Sequence, residues 1–186
     1  IGVDSPSQRL DELCGRLRND PDVVDLPERL SIFGPTRLDT VLVEVLSALG
    51  HHRDVHIWLP HPSPVMWDGL TRRPASMRRA DDHSALGVQH PLLAALGRDV
   101  RELQSRLSGL ECTDVPHPSP RPPSTLLGRL QADLRDDRAP ERGSAAPDGT
   151  VMIHACHGPT RQIEVLRECL LHLFRDDPTL EPRDVV

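Results

Sequence analysis

Apolar residues recur with two different periods along the chain, and one stretch holds both. Between Arg29 and Pro60, Leu30, Ile32 and Phe33 form a short apolar strand that ends at Gly34-Pro35. Leu38, Val41, Leu42, Val45, Leu46 and Leu49 then return at helical spacing as one continuous stripe. Thr36, with Asp39 three residues later, fits the start of that helix, and Gly50 fits its stop. In Asp54-Val55-His56-Ile57-Trp58-Leu59 the period shortens to two, placing Val55, Ile57 and Leu59 on one face of a second strand. Strand, helix and strand this close together make a βαβ crossover, which implies parallel strands covered by helices. The expected fold class is α/β.

Other elements are placed around this unit. Ser7 to Arg18 reads as a helix with Leu10, Leu13, Cys14 and Leu17 inward. His61 to Gln89, with three prolines and few large apolar residues, reads as a long excursion from the sheet. Pro91 to Leu107 reads as one helix carrying Leu92, Leu93, Leu96, Val100, Leu103 and Leu107 on one face. Cys112 to Pro123 holds five prolines and cannot be regular. Ser124 to Leu134 is a further short helix, and Asp136 to Gly149 has the charge, proline and glycine of a linker. The pattern then restarts: Thr150 to Ala155 as a strand, Gly158-Pro159 as a turn, and a helix to Arg175 striped by Ile163, Leu166, Leu170, Leu173 and Phe174. Val185-Val186 would open one more strand. That opening, and a first residue other than methionine, predict a piece of a larger protein.

Composition narrows the function. The 186 residues carry a net charge of −6, which excludes a generally basic nucleic-acid module while allowing a local basic groove. No run of roughly 18 apolar residues is present, so no membrane span is expected. All 22 basic residues are arginine. Without lysine this stretch supplies neither the ammonium of a phosphate-binding loop nor a Schiff-base amine. The four cysteines (Cys14, Cys112, Cys156 and Cys169) form no CxxC pair, and they read as reduced thiols. His154-x-Cys156-His157 is the densest set of metal-ligating types. On a strand, however, His157 would point away from the other two, and no second ligand pair follows. His51-His52 would complement the dipole at the end of their helix. Arg72, Arg73, Arg78 and Arg79 could meet phosphates through their forked donors, or could neutralise Asp68, Asp81 and Asp82 around them. No catalytic or metal residues are visible.

Several blocks together resemble a known family. They are Leu30-Ser31-Ile32-Phe33-Gly34-Pro35, Asp54 to Pro60 with Trp67, and His90-Pro91-Leu92-Leu93-Ala94 with Gly97-Arg98-Asp99. They continue through Leu127 to Asp133, His154 to Leu166, and Asp177 to Asp184. In this order they resemble the RecC (gamma) subunits of exodeoxyribonuclease V, the RecBCD helicase–nuclease. The loops at 71–89, 109–121 and 135–149 diverge.

The resemblance implies helicase-like, P-loop NTPase-type α/β domains that have lost the nucleotide site. Residues 1–134 would end the first such domain, 135–149 would link, and 150–186 would open the second. The subunit would be a non-catalytic, cytoplasmic scaffold that joins RecB-like and RecD-like partners. It would guide strands separated from double-stranded DNA ends in break repair and recombination. ATP and magnesium would be used by the partners, with no cofactor here. Working motors of this superfamily carry Gly-Asp-x-x-Gln at a comparable strand end, whereas Gly34-Pro35-Thr36-Arg37-Leu38 lacks the Asp and the Gln. Gln8-Arg9-Leu10 resembles a segment whose arginine lines the strand tunnel, which makes Arg9 a candidate nucleic-acid contact. Two other readings stay open: part of an active DNA helicase whose nucleotide loop lies outside this stretch, or an α/β protein-interaction domain with no DNA role.

Overall fold

The computed structural model describes residues 6–70, 81–117, 119–141, 143 and 146–186. They fall into two compact units, 1–145 and 146–186. In the first, helix α1 (Pro6–Asn19) precedes strand β1 (Arg29–Phe33), helix α2 (Thr40–Leu49) and strand β2 (Asp54–Trp58). Helices α3 (Pro64–Leu70), α4 (Pro91–Leu96), α5 (Arg98–Leu107) and α6 (Leu126–Arg135) follow. β1 and β2 pair in parallel, with Leu30 opposite Val55 and Ile32 opposite Ile57. The βαβ crossover is therefore present, as a two-stranded sheet.

Alternation along the strands decides where the core sits. Leu30 and Val55 pack on Cys14 and Leu17 of α1 and on Val45, Ala48 and Leu49 of α2. Further along the same face, Ile57 and Leu59 pack with Leu38, Val43, Trp67, Leu103 and Leu107. Burial raises the Cys14 thiol pKa, which keeps this core cysteine protonated and inert. A third cluster joins Met66 and Leu70 of α3 to Leu93 of α4.

The helices depart from the sequence expectations at defined places. Asp39, rather than Thr36, caps α2: its carboxylate accepts from the Leu42 N–H at 2.7 Å. Starting there turns Val43, Leu46, Ala48 and Leu49 inward and leaves Val41 and Leu42 exposed. His52, just past the end of α2, also donates through Nε2 to the Arg18 carbonyl at the end of α1, 2.7 Å away. The excursion expected after His61 holds α3, whose Met66, Trp67 and Leu70 are buried. The helix expected over 91–107 breaks at Gly97, where an added Cβ would lie 2.5 Å from the Leu93 carbonyl oxygen.

The segment marked as a linker is tied down at its start. Ser63 Oγ donates to the Arg135 carbonyl, and the buried Asp137 carboxylate accepts from the Gln89 and His90 N–H groups. Nearby, Arg101 is buried on α5, where its guanidinium donates to Ser84 Oγ and the Leu93 carbonyl. The Asp82 carboxylate lies below the usual range because the Ser84 hydroxyl and N–H both bond to it, with Arg101 and Arg98 adding attraction. A depressed folded value means that this stabilisation is complete above the unfolded pKa, about 3.9, and is lost as pH falls through the folded one. Asp82→Asn is therefore expected to flatten part of the acid limb of a stability-versus-pH curve from denaturant titrations. An unchanged acid limb would refute the coupling.

In the second unit, helix α7 spans Gly158–Asp176. Gly158 enters it at φ +72°, a conformation suited to glycine. Neither expected strand forms: 150–155 is irregular, and Val185 follows a 3₁₀ turn over Pro182–Asp184. A strand needs a neighbouring ladder, and the described residues of this unit offer none.

Candidate nucleic-acid interface

The carboxyl ends of β1 and β2 are where an open parallel sheet places its ligands, and this end is assembled in detail. The Gly34 N–H donates to the Trp58 carbonyl at 2.8 Å, prolonging the ladder, and the chain then turns away at φ +62°. Past this turn the Arg37 side chain and the Leu38 carbonyl meet partners on α5. The Arg37 guanidinium grips both oxygens of Asp99 on α5 at 2.8 and 3.1 Å, and that hydrogen-bonded carboxylate raises its pKa. The Leu38 carbonyl accepts from Arg106 at 2.8 Å. Between strand ends and α5 lies a cavity of about 130 Å³, lined mainly by apolar groups of Pro35, Leu59, Pro60, Trp67, Val100 and Leu103. Trp67 stacks on His61 at 4.8 Å and donates through Nε1 to Asp114 at 2.9 Å.

Arginines elsewhere are mostly engaged. Arg53 donates to the Pro21 and Val24 carbonyls, and Arg135 to that of Pro120. Arg138 pairs with Asp133, Arg161 with Glu164 and Arg167 with Glu168. Arg9 is different. It stands exposed on α1, and no carboxylate among the described residues forms an ion pair with it. Arg16, seven residues on and also exposed, shares its helix face. The sequence marked Arg9 only through a family resemblance; helical spacing was the signal available for Arg16. The four arginines at 72, 73, 78 and 79 lie outside the described residues.

The other candidate cluster changes shape in three dimensions. With no strand at 150–155, His154 approaches α7, and its Nε2 lies 3.5 Å from Cys169 Sγ. Cys156 Sγ instead lies 3.9 Å from the His154 carbonyl oxygen. No group of three or more His, Cys, Asp or Glu side chains suited to a metal converges among the described residues. Nor is any described helix long and apolar enough to cross a membrane.

Fold and strand-end geometry define a class: an α/β protein with a parallel βαβ unit whose strand ends are occupied by its own ion pair. Comparison with known proteins narrows this. The family profile described as RecC, N-terminal domain matches residues 4–137, and the chain belongs to that family. A protein named RecBCD enzyme subunit RecC from Mycobacterium tuberculosis is 49% identical over 191 residues, covering the whole chain and 17% of that protein. The namesake from Mycolicibacterium smegmatis is 48% identical over 188 residues, with the same coverage. That from Escherichia coli K12 is 28% identical over 210 residues, covering 87% of this chain and 18% of its own. The chain thus spans about a sixth of the length of these curated relatives.

Proposed function

We propose that this chain is part of a non-catalytic scaffold and DNA-channel subunit of an ATP-dependent helicase–nuclease of the RecBCD kind, acting in double-strand-break repair and recombination. The observation that carries the reading is identity along the whole chain to RecC subunits of mycobacteria. The strand ends support it. The positions that hold Asp and Gln in a working motor are filled here by Pro35 and Leu38, and Arg37 is spent on Asp99. On this reading both units derive from helicase-like α/β domains, nucleotide and magnesium act on RecB-like and RecD-like partners, and the complex works in the cytoplasm. With a net charge of −6, the chain alone binds DNA weakly, because tight non-specific binding needs several phosphate contacts.

Co-purification tests the reading. The longest native polypeptide containing this sequence is expected to be retained by a tagged RecB-like partner on blunt DNA ends. No complex, or ATP binding by the polypeptide alone, would reject it in favour of an interaction domain or an active motor. Within the assembled complex, Arg9→Ala is expected to reduce the salt dependence of single-strand binding by roughly 0.7 in log–log slope, the contribution of one phosphate. An unchanged slope would place Arg9 outside the strand path.

A further inference from the structure

The cavity at the carboxyl ends of β1 and β2 has a mostly apolar wall and one polar atom left over. Its volume is about 130 Å³, and Leu59, Pro60, Trp67, Val100 and Leu103 supply much of the wall. Two of its polar members are already engaged: Trp67 Nε1 by Asp114, and the Asp99 carboxylate by Arg37. His61 is not. It is half-buried, and its Nδ1 is shut off from solvent with no hydrogen-bond partner among the described residues. Its ring is stacked on Trp67 at 4.8 Å, so the nitrogen is held in place. An enclosed polar atom without a partner is destabilising, and a ligand that supplies one gains by it.

We propose that this strand-end cavity is a binding site for a monocyclic phenol, with the ring against the apolar wall and the hydroxyl on His61 Nδ1. Size selects a single ring. Pockets for nucleotides and other large ligands run to about 300–1,000 Å³, whereas an apolar cavity of about 150 Å³ holds one benzene. Water is a poor occupant, because a buried water needs about two to four polar partners. Beyond His61 and Thr36 the wall has few to give. Chemistry selects the hydroxyl. It donates to Nδ1 when that nitrogen is bare and accepts from it when it carries the hydrogen, so it serves either tautomer. Pro35 and Pro60, whose rings fix their own backbone angles, keep the entrance of the cavity in shape without a ligand.

Two probes of nearly equal shape test this, phenol and toluene, which exchange a hydroxyl for a methyl. Each is titrated by saturation-transfer NMR into the longest native polypeptide containing this sequence, without DNA or partner subunits. Phenol is expected to saturate with a Kd on the order of 0.1–1 mM, ordinary for so few heavy atoms. It should bind roughly threefold or more tightly than toluene, although toluene is the more apolar, because only phenol satisfies the buried nitrogen. His61→Phe keeps a ring against Trp67 and removes the nitrogen, and it is expected to reverse that order. No saturable binding of phenol, toluene binding as tightly as phenol, or an order that His61→Phe leaves unchanged would each overturn the proposal. Location is tested by filling the cavity. Val100→Phe is expected to abolish phenol binding, and the smaller Val100→Leu to weaken it; if the phenylalanine variant does not fold, the leucine variant decides. Phenol binding untouched by a folded filling variant would place the ligand elsewhere and overturn the proposal. Co-purification with a RecB-like partner is scored separately, so this inference and the functional reading can fail independently.

Discussion

Trp67→Ala is expected to lower the unfolding free energy by roughly 3–5 kcal/mol, the range for truncating a large core aromatic. Trp67 is 6% exposed and packs with Leu38, Val43, Leu103 and Leu107, so it joins α3 to the strand end, α2 and α5 at once. Truncation also removes the indole donor from Asp114 and the face against which His61 stacks. Collapse cannot refill the space easily, because Trp67 already lines the cavity of about 130 Å³ at the strand ends. The void would merge with that cavity and keep its full cost. Trp67→Phe separates the contributions: it keeps most of the buried area and the stacking partner while losing the Asp114 bond, so a loss nearer 1–2 kcal/mol, roughly, is expected. Urea denaturation of the three proteins measures this. A loss below about 0.5 kcal/mol for the alanine variant, the size of an ordinary surface change, would show that this junction does not hold the unit together.

How far the sequence revealed this fold depends on whether the determining interaction is local. The β1–α2–β2 unit was legible because alternation at Val55 and Ile57 and the Gly50 stop act within a few residues, although the cap proved to be Asp39 and not Thr36. α3 was missed because seven residues among prolines give too short a period, although Met66, Trp67 and Leu70 at one-, three- and four-residue spacings were its trace. The break at Gly97 depends on the distance to the Leu93 carbonyl, and periodicity does not report a backbone contact. Strands at 150–155 and 185–186 failed to form because strand character needs a partner that alternation alone cannot supply.

The candidate interface shows the same limit. Missing Asp and Gln residues were visible in Gly34 to Leu38, but the use of Arg37 against Asp99, 62 positions away, was not. Nor did spacing bring His154 to Cys169, since that approach follows from the absent strand. Arg9 was singled out through resemblance alone, and the fold adds only that it stands exposed with no ion pair among the described residues.

Asp137→Ala is the second substitution expected to cost several kcal/mol, and its mechanism is different. Asp137 follows α6 in sequence but is held against α4, and its carboxylate accepts from the N–H of Gln89 at 3.0 Å and of His90 at 2.9 Å. His90 is 1% exposed and caps α4 by accepting from the Leu92 N–H, so the two residues together fix where α4 begins. Alanine would strand the buried His90 N–H, which costs about 1–3 kcal/mol when left without an acceptor, and would free the part-buried Gln89 N–H, which water can serve at smaller cost. Asp137 also sits at φ 46°, a left-handed conformation that aspartate and asparagine tolerate far better than alanine. Both effects act in the same direction, so a loss of roughly 2–4 kcal/mol is expected for Asp137→Ala. Asp137→Asn keeps an acceptor oxygen and the tolerance for this φ, and should cost roughly 1 kcal/mol or less. Denaturant unfolding, with amide exchange read at Gln89 and His90, distinguishes the outcomes. Equal losses for alanine and asparagine, with unchanged exchange at both amides, would show that the carboxylate does not anchor the end of α6 to α4.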